Sequence, residues 1–166
     1  MRKIFFLFFL FFIGCGYKPS SVYQDNILGS DIKAKVKISA ENPRETIFLK
    51  DAINDAVYSS LGKNLCYDNC NTVIDIISAS SSLTPIYYDE NGYPIIYRME
   101  VNIKAKITDK YGKLKIYSVS GSYDFKVESN SILTDQIKLE AYKRASINAL
   151  NKLFAKLTKD GAYYDN

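Results

Sequence analysis

Apolar residues recur at every second position along several stretches of this chain and at helical spacing along two others. In residues 31–39, Ile32, Ala34, Val36 and Ile38 alternate with Lys33, Lys35 and Lys37, which predicts a half-buried strand. Asn42-Pro43-Arg44-Glu45 then reads as a helix start: Asn42 caps, Pro43 suits the first helical position and Glu45 can return a bond to the cap. Leu49, Ile53, Ala56, Val57 and Leu61 fall on one stripe of that helix, and Gly62 supplies a left-handed stop. Residues 72–80 are β-branched and apolar, predicting a second strand buried on both faces at its start, and the pattern is lost over residues 78–82. Asp89-Glu90-Asn91-Gly92 is a reversal signal.

The clearest alternation follows. Tyr97, Met99, Val101, Ile103, Ala105 and Ile107 point one way, and Arg98, Glu100, Asn102, Lys104 and Lys106 the other. Asp109-Lys110-Tyr111-Gly112 turns this strand into a partner over residues 113–127. There Leu114 and Ile116 hold one parity and Val119, Tyr123, Phe125 and Val127 the other, which predicts a bulge near Tyr117 and Ser118. A last helix over residues 134–156 carries Ile137, Ala141, Ala145, Ala149, Leu153 and Leu157 at helical spacing, with Ile147, Leu150 and Phe154 widening the face. The expected order is β-α-β-β-β-α, an α+β two-layer sandwich with two helices on one face of a mixed four-stranded sheet. The first two strands should run parallel through a helical crossover, and the hairpins antiparallel. Residues 31–160 read as one domain and 161–166 as a tail, without repeats or low-complexity runs.

The first fourteen residues stand outside this pattern. Arg2 and Lys3 precede an unbroken apolar run over residues 4–13, and Gly14 stands before Cys15. That is the layout of a secretory signal peptide. Ten helical residues reach only about 15 Å, half the hydrocarbon thickness, so a permanent span is not expected. Phe12-Ile13-Gly14-Cys15 resembles the lipobox of bacterial lipoproteins, and this resemblance implies cleavage before Cys15 and acylation of that residue. An ordinary cleaved signal with an incidental Cys15 is the alternative. Several acyl chains, each gaining about 0.8 kcal/mol per buried methylene, make such attachment effectively permanent. Gly16 after the cysteine resembles sorting to the outer membrane, and residues 15–30 read as the lipidated N-terminus and a short tether.

Processing changes the charge balance. Removing residues 1–14 from the 166-residue chain leaves 152, and loss of Arg2 and Lys3 lowers the formal net charge from +4 to +2. So small a surplus gives no reason to expect a nucleic-acid partner. With Cys15 assigned to lipid, Cys66 and Cys70 remain as an even pair, expected to close a short disulfide loop in an exported protein, with two free thiols as the alternative. The chain contains no histidine, which removes Ser-His and Cys-His nucleophile pairs and the commonest metal ligand. No paired-acid constellation or Gly-rich phosphate loop stands out, so the expectation is a protein that is not an enzyme, with no metal and no cofactor.

Gly14-Cys15-Gly16-Tyr17, the strand Tyr97-Arg98-Met99-Glu100-Val101 after an Asn-Gly turn, and the helix Glu140-Ala141-Tyr142-Lys143-Arg144-Ala145 leading into Leu150-Asn151-Lys152-Leu153 together resemble the lipopolysaccharide-assembly lipoprotein family, LptE. The resemblance covers the element order of nearly all the mature chain; residues 63–84, with the cysteine pair, lie outside the family pattern. It implies an outer-membrane lipoprotein that plugs the β-barrel translocon LptD, supports its assembly and takes part in lipopolysaccharide delivery to the cell surface. Its partners would be that barrel, lipopolysaccharide and, through the N-terminal lipid, the membrane. Arg98, Lys104 and Lys106 share one strand face and are the candidates to meet lipid phosphates, although solvated cations beside Glu100 would read the same. A different envelope role, such as a lipoprotein activator of a peptidoglycan synthase, is the rival. It would need a tether long enough to cross the periplasm, whereas a fifteen-residue chain reaches only about 20 Å.

Overall fold

In the computed structural model, which describes residues 28–29, 31–36, 43–63, 65–128 and 131–162, the elements are β1 (Ile32–Val36), α1 (Pro43–Ala56), β2 (Thr72–Tyr88), β3 (Pro94–Thr108), β4 (Leu114–Lys126) and α2 (Asp135–Ala162). Residues 1–14, Cys15 and Asn42, expected to be a signal segment, a lipid site and a helix cap, lie outside the described residues. β1 runs parallel to β2, from Ile32 opposite Thr72 to Val36 opposite Ile76, and the β2–β3 and β3–β4 pairs are antiparallel. The sheet order β1-β2-β3-β4 and the two helices packed on one face are the expected α+β sandwich.

Alternation in the strands explains the layering. Ile74 and Ile76 of β2, Met99, Val101, Ile103, Ala105 and Ile107 of β3, and Val119 of β4 are buried on the inner face. They pack on Leu49 and Ile53 of α1 and on Leu150, Leu153, Phe154 and Leu157 of α2. Each such aliphatic or aromatic side chain contributes about 1.5–3 kcal/mol when fully buried. α1 continues into a single π-helical turn over Val57–Leu61, and Gly62 ends it at φ 62°, its N–H bonded to the Tyr58 carbonyl. Thr134 caps α2 through its hydroxyl to the Ile137 N–H.

The close approach of α2 to β4 rests on small residues. A Cβ on Gly121 would stand 2.2 Å from the Ala149 nitrogen and 2.3 Å from the Ala145 carbonyl oxygen, so only glycine fits there. The alanines at 141, 145 and 149 form the matching stripe on the helix, all buried.

Four expectations about elements are corrected. β2 does not fade at residues 78–82: it continues to Tyr88, with Ser78, Ser80 and Ser82 opposite Lys104, Asn102 and Glu100. Serines on an outer face leave no apolar period to read, while the β3 partner holds the backbone extended. Its start is buried on one face only, Thr72, Ile74 and Ile76 being inside and Val73 and Asp75 half-exposed. No bulge interrupts β4, whose register with β3 is continuous from Thr108–Leu114 to Ile96–Lys126. Lys115 and Tyr117 are the half-buried positions, their polar ends bonded to Asp160 of α2 at 2.9 and 2.6 Å, and Leu114 and Ile116 are exposed. The register shifts fall in β2 instead, between Ile76 and Ser78 and around Tyr87. Finally, α2 extends through Ala162, six residues past the expected end and into the expected tail.

Candidate functional site

The face of the sheet opposite the helices is polar, and its residues come from the same parity that put the core inside. Arg98, Glu100, Asn102, Lys104 and Lys106 lie on this face of β3, flanked by Ser78, Ser80, Ser82 and Thr84 from β2 and by Ser118, Ser120, Ser122 and Asp124 from β4. A shallow groove of about 440 Å³ runs across it, lined by Ser78, Ser80, Asn102, Lys104, Ser118 and Ser120 and bordered by Lys152 and Lys156 of α2. No carboxylate lines the groove, which presents three ammonium groups among four serine hydroxyls and an amide. Such a surface suits a phosphorylated or otherwise anionic ligand through charge-assisted hydrogen bonds. Being open to solvent, it would hold that ligand in a salt-dependent way.

The three strand cations have different circumstances. Lys104 lines the groove. Lys106 is two residues along, opposite Asp75 on β2 and Ile116 on β4. Arg98 is six residues from Lys104, about 20 Å at the rise of a strand. It makes a two-pronged ion pair with Asp124, Nε to one carboxylate oxygen and a terminal nitrogen to the other, both at 2.7 Å. The hydrogen bond to Asp124, reinforced by its charge, raises the Arg98 pKa, and the same bond holds the Asp124 carboxyl below its ordinary value. Arg98 is therefore neutralised in place, and the cations that line the groove with Lys104 come from α2.

Lys152 and Lys156 escaped the sequence reading because they are 48 and 52 positions from Lys104 and belong to the helix. The legible signal was their spacing of four, which places them side by side on one helical face. Lys156 also donates to the Ser118 carbonyl at 2.9 Å, and Asn148 to the Ser122 carbonyl at 2.8 Å, so side chains of α2 cover the outer edge of β4.

Cys66 and Cys70 are joined in a disulfide, their Cα atoms 6.1 Å apart. The loop is tied to the start of β1 by Cys66 N–H to the Ile32 carbonyl at 2.9 Å and by the Lys33 ammonium bonding the Tyr67 carbonyl.

No protein-family profile matches this chain, and no curated protein sequence matches it. Solved structures do resemble it. A minor lipoprotein from Acinetobacter baumannii superposes with a TM-score of 0.53 at 7% identity, over 79% of this chain and 92% of that one. Rare lipoprotein B from Shewanella oneidensis does so with a TM-score of 0.53 at 10% identity, over 82% and 99%. A lipoprotein from Caulobacter crescentus gives 0.50 at 12% identity, over 87% and 98%. At these identities the likeness establishes a shared fold, and the proteins that share it are bacterial lipoproteins. Among the described residues no helix is long and apolar enough to cross a membrane.

Proposed function

We propose that this chain is a lipid-anchored outer-membrane lipoprotein that plugs an LptD-type β-barrel translocon, assists its assembly and takes part in lipopolysaccharide delivery. It acts by binding and positioning, not by catalysis. The observation that carries the reading is a fold held in common with bacterial lipoproteins over nearly their whole length, in which the described residues of this chain leave one sheet face uncovered and lined with serine, asparagine and lysine. A barrel lumen is wet and polar, and a plug for it must present hydrogen-bonding groups outward. The motif resemblance to LptE supplies the particular partner, and the lipobox around Cys15 the anchor. Within this reading the phosphates of lipid A meet Lys104, Lys152 and Lys156, with Lys106 at the margin and Arg98 held in reserve by Asp124.

Affinity purification of the acylated protein from detergent-solubilised outer membranes tests the assignment. Recovery of a large β-barrel protein at equal stoichiometry supports it; a peptidoglycan synthase in its place sinks it. The groove is tested separately with purified lipopolysaccharide. The pair Lys104→Glu and Lys152→Glu should weaken binding at least tenfold at low salt, whereas Arg98→Ala should change it less than twofold. The reverse ranking would remove the groove from the site.

A further inference from the structure

The residues that crowd the end of the sheet where the tether leaves share a chemistry that the groove does not use. The Leu28 carbonyl accepts a hydrogen bond from the Thr72 hydroxyl at 2.8 Å, and the Gly29 carbonyl one from the Lys63 ammonium. Leu28 and Gly29 are thus fixed at the end of the sheet where β2 begins. The β3–β4 turn lies at that same end, because Val73 pairs with Thr108, and the disulfide loop lies there too, because Cys66 bonds Ile32. Tyr67 in the loop is 85% exposed and Tyr111 in the turn 72% exposed, and the Lys110 ammonium sits 5.1 Å from the centre of the Tyr111 ring. Lys110 and Lys113 flank that ring and are exposed, while the acid of the turn, Asp109, is buried and accepts the N–H groups of Tyr111 and Lys113.

We propose that this end of the domain is a membrane-contact surface, with Tyr67 and Tyr111 entering the headgroup layer and Lys110 and Lys113 meeting lipid phosphates. The inference rests on the lipid-anchored reading of Cys15, which lies thirteen positions before Leu28. A stretch of thirteen residues has a reach of about 20 Å, so a lipid on Cys15 would hold this end, and not the opposite one, beside the bilayer. Tyrosine paired with lysine is the side-chain chemistry of the membrane interface, where a ring sits at the headgroups and an ammonium among phosphates. The opposite end also exposes tyrosines, Tyr87, Tyr88 and Tyr93, but around a turn that carries Asp89 and the exposed Glu90 and no cation, whereas the acid beside Tyr67, Asp68, stands 4.0 Å from the Lys33 ammonium. β3 spans fifteen residues between the two ends, about 50 Å. Charge and tether therefore select the same end.

The chain contains no tryptophan, so single substitutions report on their own sites. Tyr67→Trp, Tyr111→Trp and, as a control, Tyr88→Trp would each be made in the full chain beginning at Cys15, and all three positions are exposed. Coupling the Cys15 thiol to a maleimide phospholipid in vesicles of phosphatidylethanolamine and phosphatidylglycerol reproduces the tether whether or not the cell acylates it. Nitroxide-labelled headgroups should quench the Tyr67→Trp and Tyr111→Trp reporters at least threefold more than the Tyr88→Trp reporter. Adding Lys110→Glu and Lys113→Glu should reduce the quenching at position 111 at least twofold. Equal quenching at all three sites, none at any, or quenching confined to position 88 would overturn the proposal. The barrel takes no part in this measurement, so its failure and the failure of the translocon assignment are read separately.

Discussion

Gly121 shows how much of this fold hangs on single atoms. It occupies an inner-face position of β4 against the backbone of Ala145 and Ala149, with no space for a methyl group. Gly121→Ala forces α2 away from the sheet and should cost about 3 kcal/mol, read as a lowered denaturation midpoint with an unchanged urea slope. Tyr142 is a second decisive residue, only 2% exposed on α2. Burial pushes its phenol up to about 12, helped by the Glu45 charge and partly offset by the Ser146 hydroxyl. Because the folded value lies above the unfolded one of about 10, this phenol favours the folded state fully below pH 10. That advantage is lost as pH rises from about 10 to 12. Tyr142→Phe should therefore flatten the alkaline limb of a thermal stability profile by roughly 2 kcal/mol, with no change in slope near neutrality. Neither residue announced itself in the sequence. Gly121 stands between two serines, and Tyr142 falls beside the alanine stripe, where only the packed helix shows that its ring is inside.

At the scale of elements, the strands divide into those whose pattern suffices and those that borrow their conformation. β3 was legible residue by residue because Met99 to Ile107 alternate without exception, one face buried and the other wet. β2 was legible only as far as residue 80, since the serines at 78 and 80–82 erase the apolar period and the β3 partner holds the backbone extended. β4 misled for a different reason: Leu114 and Ile116 are outside, and Lys115 and Tyr117 place aliphatic and ring carbon inward while their polar ends reach Asp160. The groove was half legible, Lys104 by strand parity and Lys152 and Lys156 not at all, because helix and strand meet there only in three dimensions. Asn148 and Lys156 cover carbonyls at the outer edge of β4, where an uncovered strand would pair with another chain. Asn148→Ala with Lys156→Ala should cost little stability, about 1 kcal/mol, yet raise concentration-dependent association in light scattering. If the double variant stays monomeric at millimolar concentration, the edge is protected by something else.

The whole molecule is a sandwich with a loaded end and a wet face. At the loaded end Leu28, the disulfide loop, the β3–β4 turn and the last turns of α2 converge. Asp160 closes it, its carboxyl held below the ordinary aspartate range first by the Tyr117 hydroxyl and then by Lys115, against the opposing effect of burial. A lowered folded pKa means stability present above the unfolded value near 4 and lost as pH falls through the folded value. Acid titration followed by circular dichroism should show an unfolding limb below about pH 4. Asp160→Asn should make that limb shallower while lowering stability at pH 7. An unchanged acid limb would mean that the Lys115–Tyr117–Asp160 contact contributes nothing to holding α2 on β4.

Sequence pattern was enough for the number, type and order of the elements, most of the core and the polarity of the outer face of β3. Those follow from periodicity, which is a local property: a residue two or four positions away decides whether a side chain shares a face. It also carried Phe12-Ile13-Gly14-Cys15, whose resemblance to a lipobox needs no fold to be read. Only packing in three dimensions decided which cations gather, that Arg98 is spent on Asp124, that Gly121 admits a helix, and that Leu28, Tyr67 and Tyr111 share one end. Each of these joins positions at least 24 residues apart. Packing and chain reversal fix such distances, and no pattern along the chain encodes them.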